Sequence, residues 1–155
     1  MKSEKTQEFA ARIAGSSRTE LTVVVYDVIL EDINEAKECT GNRTEFKHLL
    51  LHATRFINEL MRTLDFNYPL AGNLFSLYEY CGGLITRSAF SGDAAILDEP
   101  YSILERLRNA FGEVAKQDDS GPMMQNTQQI TAGLTYGRGS LDEITTGGGN
   151  RGFLA

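Results

Sequence analysis

The chain has 155 residues and a formal charge of -6, from 21 acidic and 15 basic side chains. That length suits one domain, and an acidic chain without a basic run lacks the positive footprint that nucleic-acid binding needs. The longest apolar run, Leu21 to Leu30, contains Thr22 and Asp27 and falls far short of the about 20 residues that span a bilayer, so no stable membrane insertion is expected, and the opening MKSEKTQEF has no apolar signal core, which predicts a cytoplasmic protein.

Residues 1–16 form a short N-terminal segment. Ser17 then caps the first long helix, with Glu20 at capping-box distance. Its body sets Leu21, Val24, Val25, Val28, Ile29, Ile33 and Ala36 at steps of three and four. Val23-Val24-Val25-Tyr26 by itself favours extended chain. A helix prevails because it gives Asp27, Glu31, Asp32 and Glu35 coherent solvent-facing positions. Gly41-Asn42 ends it.

The second helix runs from Glu45 to Leu64, with Thr44 as its cap. Phe46, Leu49, Leu50, Ala53, Phe56, Ile57, Leu60 and Met61 recur at helical spacing, the strongest periodic signal in the chain. The turn Asp65-Phe66-Asn67-Tyr68-Pro69 follows. The third helix spans Leu70 to Phe90, with Leu74, Leu77, Tyr78, Cys81, Leu84 and Ile85 on one broad face. Gly82 and Gly83 lie inside it, each costing about 1 kcal/mol against alanine; a bend or a close backbone approach is the expected reason. Ser91-Gly92 stops it.

The fourth helix is split. Asp93 to Leu97 form a first turn or two, and Pro100 marks a kink or a restart with Asp98 as the new cap. Ile103, Leu104, Leu107, Ala110, Phe111 and Val114 carry the stripe to Lys116. The fold class is therefore all-α, an antiparallel four-helix bundle over 17–117. A flexible tail, 118–155, follows with eight glycines.

The residues that could carry chemistry do not assemble into a site. Cys39 and Cys81 are 42 residues apart with no close cysteine neighbour, and read as a boundary and a core cysteine. His48 and His52 stand four apart, but position 49 is Leu where a zinc-protease helix needs Glu, and two histidines do not complete a metal site. No enzyme activity, cofactor or metal is expected. What the chain has in excess is apolar surface. Val23, Val24, Val25, Tyr26, Val28, Ile29 and Leu30 cannot all face one core at 100° per residue, and Leu49, Leu50, Leu51 and Ile57 repeat the surplus on the second helix. The surplus predicts a surface groove for a partner polypeptide, or, alternatively, a homodimer or a contact with another helical partner.

Three ordered segments resemble the flagellar export chaperone family. Ser17-Arg18-Thr19-Glu20-Leu21 leads into Val25-Tyr26-Asp27, Leu77-Tyr78-Glu79-Tyr80 is followed by Ile85, Phe90 and Asp93, and Leu107-Arg108-Asn109-Ala110-Phe111 stands where the family usually has an Arg-x-Ala-Trp ending, with Phe111 in place of the tryptophan. The resemblance covers roughly Ile13 to Gln117. It implies a bundle that binds the disordered C-terminal segment of flagellin, prevents early polymerisation and presents the client to the flagellar export machinery. It also implies that the N-terminal segment covers part of the groove, a role that falls to Phe9 and Ile13. Client contacts are expected from Val24, Leu50 and Ile57 in the apolar surplus. Tyr26, Tyr78 and Tyr80 offer flat rings with a hydroxyl. Asp27 would fix a client turn or a basic client side chain.

Overall fold

The computed structural model describes residues 3–118 together with Gly121 and Pro122; the tail expectation for 118–155 otherwise lies outside the described residues. Five α-helices and one 3-10 turn are present among them, without a strand: α1 Ser3–Gly15, α2 Arg18–Glu38, α3 Arg43–Arg62, α4 Leu70–Ser91, the 3-10 turn Ala94–Leu97, and α5 Asp98–Lys116. The all-α helical-bundle reading holds, but the count of four does not. The N-terminal segment is itself a helix, with Glu4 in its first turn and Arg12 in its last, charges that suit the ends of a helix dipole.

The helix starts show which local signals governed. Ser17 caps α2 with a complete capping box: its hydroxyl accepts from the Glu20 N–H at 3.3 Å, and its own N–H donates to Glu20 Oε2 at 3.0 Å. α3 is capped by Asn42, whose side chain accepts from the Glu45 N–H at 3.2 Å, and not by Thr44, which lies inside the helix. The split before α5 is real, with Asp93 capping the 3-10 turn. Asp98 is a first-turn residue of α5 paired with Lys37 at 2.8 Å, and it does not cap.

α4 runs unbroken through Gly82 and Gly83. A Cβ on Gly82 would stand 3.6 Å from the Ile57 side chain of α3, an ordinary contact, and one on Gly83 would meet open space, so neither a bend nor a close backbone approach accounts for the pair. Gly92 closes α4 at φ 78°, a left-handed conformation that favours glycine. The Arg43 guanidinium fills the space beside it and donates to the carbonyls of Phe90 and Ser91 at 2.6 and 2.9 Å.

α2 is the central element, packed against α3, α5 and α1. Lys37 pairs with Asp98, Asp27 with Arg108 and Thr19 with Asp118, so α2 and α5 run antiparallel. Tyr26, Ile29 and Ile33 of α2 meet Phe46, Leu50 and Ile57 of α3, Tyr78 and Ile85 of α4, and Leu97 and Leu104 near and within α5. Burial on several sides explains how a Val-Val-Val-Tyr run becomes helical. Tertiary packing outweighs the few tenths of a kcal/mol per residue that β-branched side chains cost a helix.

In the centre of this core the hydroxyls of Tyr26 and Tyr78 hydrogen-bond to each other, with ring centroids 6.2 Å apart, and Phe111 packs 5.6 Å from Tyr26. Burial pushes both phenols above their ordinary pKa, so both stay neutral. A buried hydroxyl that loses its partner costs about 1–3 kcal/mol, whereas removing both can be nearly neutral. Tyr78→Phe is therefore expected to destabilise the fold by that amount in urea unfolding. The double variant Tyr26→Phe/Tyr78→Phe is expected to recover most of the loss.

Candidate functional site

α1 lies antiparallel on one stripe of α2. Lys5 pairs with Glu31 at 3.1 Å and Arg12 pairs with Asp27 at 2.7 Å. Between these ion pairs Phe9 is buried against Val24 and Val28 of α2, with Phe56 of α3 beside them. Phe9, Val24 and Val28 form a buried cluster of their own, and Phe56 packs against both this cluster and the main core. Val24, Asp27, Val28 and Glu31 recur at i, i+3, i+4 and i+7, one face of a helix, and Lys5, Phe9 and Arg12 share a face of α1 at i, i+4 and i+7. Phe9, Ala10, Ile13, Val28, His52 and Phe56 line a groove of about 400 Å³ along this contact. A second groove, about 570 Å³, lies between α1 and α5 over Val23 and Val24, with Arg12 and Arg108 on its wall.

The structure places the expected contact residues unequally. Val24 and Asp27 stand on the face that α1 covers, and Phe9 sits over it. Ile13 lines the same groove but is 37% exposed. Tyr26, Leu50, Ile57 and Tyr78 lie in the main core with at most 1% of their surface exposed, so they support the groove from within and offer nothing to a partner. Tyr80 is 47% exposed and donates to Glu99 of α5 at 2.8 Å, which puts it on the α4–α5 seam. The surplus apolar surface is thus mostly enclosed: Val23, Val28, Ile29, Leu30 and Leu49 are also buried. Periodicity alone shows neither that α2 has neighbours on several sides nor that α1 is one of them. Arg12 was not singled out from the sequence, and Val28, Phe56 and Arg108 entered only as surplus, periodic or family-segment positions and not as neighbours at one seam; the alternation of valine and acid at helical spacing on α2 is the signal that marks their place.

Two acids on α2 have opposite environments. Asp27 is part-buried, and although burial opposes its charge, hydrogen bonds from Arg108 and Arg12 outweigh this and lower its pKa. Arg108 holds both carboxylate oxygens, Nε to Oδ1 at 2.7 Å and Nη2 to Oδ2 at 3.3 Å, while Arg12 takes Oδ2 at 2.7 Å. Asp32, expected to face solvent, is fully buried. Its Oδ2 meets His52 Nδ1 at 2.6 Å and its Oδ1 has no hydrogen-bond partner. Burial raises its pKa despite the imidazole. Cys39 and Cys81 are free thiols at the boundary and in the core, and among the described residues no group of three or more His, Cys, Asp or Glu could hold a metal. No helix among them is long and apolar enough to cross a membrane.

The fold and the site define a helical bundle in which the first helix closes an apolar stripe between α2 and α3 and ion pairs join neighbouring helices. The family model of the flagellar protein FliS matches residues 1–118, which include all five helices, and the chain belongs to that family. Among curated proteins none matches it. Family membership supports a chaperone role in flagellum assembly and association with flagellar export, and FliS proteins are not enzymes.

The two acids predict opposite pH effects. Asp27, with its pKa lowered in the fold, contributes stability that is present above the unfolded carboxylate value of about 3.9 and lost as pH falls through the folded value. Asp27→Asn should therefore melt below the parent at pH 7, with the gap closing below about pH 4. Asp32, with its pKa raised, favours the fold while protonated and loses that contribution as pH rises through its folded value. Asp32→Asn should gain in melting temperature relative to the parent as pH rises from 4 to 8. Thermal melts followed by circular dichroism across that range check both; parallel curves would contradict them.

Proposed function

We propose that the chain is an export chaperone that binds the C-terminal segment of flagellin in the cytoplasm, keeps it from polymerising prematurely and delivers it to the flagellar export machinery. The observation that carries this reading is the second apolar cluster, in which Val24, Val28 and Phe56 are closed over by Phe9 of a terminal helix. A client that displaces α1 gains this stripe without disturbing the Tyr26–Tyr78 core. The α1-covered face, including Val24 and Asp27, is the client surface, with Phe9 and Ile13 as its cover. FliS family membership supports the chaperone and flagellar parts of the reading.

Cover and client then compete. The apparent affinity of the full chain equals the intrinsic affinity reduced by the fraction of molecules with the groove open. Phe9→Ala removes the apolar anchor, whose full burial is worth about 1.5–3 kcal/mol. Isothermal titration of the full chain with a synthetic flagellin C-terminal peptide should show tighter binding by Phe9→Ala, about tenfold or more. Val28→Asp should abolish it by placing a charge on the stripe. Absence of heat with the parent and with Phe9→Ala at tens of micromolar peptide would defeat the reading.

A further inference from the structure

The face beneath α1 is built for more than an apolar side chain. Its two valines alternate with two carboxylates, Asp27 and Glu31, and each carboxylate is met by a cation of α1. Asp27 is the demanding one. Its side chain is only 18% exposed, and Arg108 supplies a close contact to Oδ1 but only a 3.3 Å contact to Oδ2. The 2.7 Å bond to Oδ2 comes from Arg12. An occupant that lifts α1 away and seals the same surface without a donor would leave that oxygen desolvated and underbonded, which is costly for a charged acceptor.

Resting on the proposed function, we infer that the segment displacing α1 is a cationic amphipathic helix that reproduces the order Lys5, Phe9, Arg12. It places a large apolar side chain on Val24, Val28 and Phe56, an Arg or Lys three residues later on Asp27 Oδ2, and a further cation one turn earlier opposite Glu31. Arg108 stays in place and orients the carboxylate, so Asp27 selects the occupant's charge while the valines select its shape. The acidic balance of the chain favours the same sign of partner. An anionic or uncharged amphipathic helix would satisfy the stripe and fail at Asp27.

The test uses the full chain carrying Phe9→Ala, so that the cover is loosened, with and without Asp27→Asn. Two probes are titrated: a synthetic peptide of residues 3–15, and the flagellin C-terminal peptide. Arg12→Gln in the first peptide is expected to weaken binding about tenfold on the Asp27 chain and to have little effect on the Asp27→Asn chain. The flagellin peptide should compete with the 3–15 peptide and lose a similar factor to Asp27→Asn. A flagellin peptide that competes but is indifferent to Asp27→Asn overturns the inference and leaves the groove assignment standing. A 3–15 peptide equally tight with Gln in place of Arg12 on both chains overturns it as well. If the 3–15 peptide binds with the stated charge dependence while the flagellin peptide neither binds nor competes, the flagellin reading fails and the charge code stands for another cationic helix.

Discussion

The stripe of α2 that holds Val24, Asp27 and Val28 is covered by α1, and the proposed function depends on how that cover is held. α3, α4 and α5 enclose the remaining apolar faces of α2 in a core centred on Tyr26, Ile29 and Ile33. α1 contributes one buried side chain, Phe9, and two ion pairs. Lys5 is well exposed, so its pair with Glu31 is worth little after screening. A helix of 13 residues is marginal in isolation. α1 is thus helical because it is docked on α2.

Asp27 and Asp32 stand five residues apart on the same helix and show how position sets the surroundings of a carboxylate. Asp32 faces α3, where His52 alone meets it and one oxygen has no partner. That pair joins α2 to α3, with Asp32 buried and His52 reaching the groove wall beside Phe56. Asp27 faces the seam between α1, α2 and α5, with a guanidinium from each flanking helix. Removing one of these partners leaves the other in place. The carboxylate can therefore change partners without being stranded as a bare buried charge, which a contact point for an exchangeable helix requires.

Much of this fold is legible because local and tertiary signals agree over most of the chain. The capping box at Ser17, the periodic apolar positions of α3 and the stop at Gly92 each depend on residues close in sequence, and each is realised. The errors have a common origin. Thr44 and Asn42 are both acceptable caps by residue type, and only the backbone geometry selects Asn42. Asp32 has the spacing of a solvent-facing acid until α3 is laid against it. Tyr26, Leu50 and Ile57 read as surplus when each helix is judged against a single partner, yet α2 has several. The groove is the least legible part because its lining comes from three helices and its lid from a segment whose few apolar residues give no strong period.

A covered groove also settles a conflict between solubility and binding. Val24, Val28 and Phe56 left bare would present an apolar patch of the kind that drives self-association. Permanent cover would remove the binding surface. A cover held by about 2 kcal/mol leaves the groove open about 3% of the time and weakens client binding about thirtyfold, a modest loss for a partner that buries far more than one phenylalanine. Charge matching at Asp27 adds discrimination that apolar burial cannot supply, since any greasy helix could fill the Phe9 seat but only one with a cation at the right step could also satisfy the carboxylate. On the proposed reading, α1 serves as a placeholder that protects the site by filling it as the proposed occupant would.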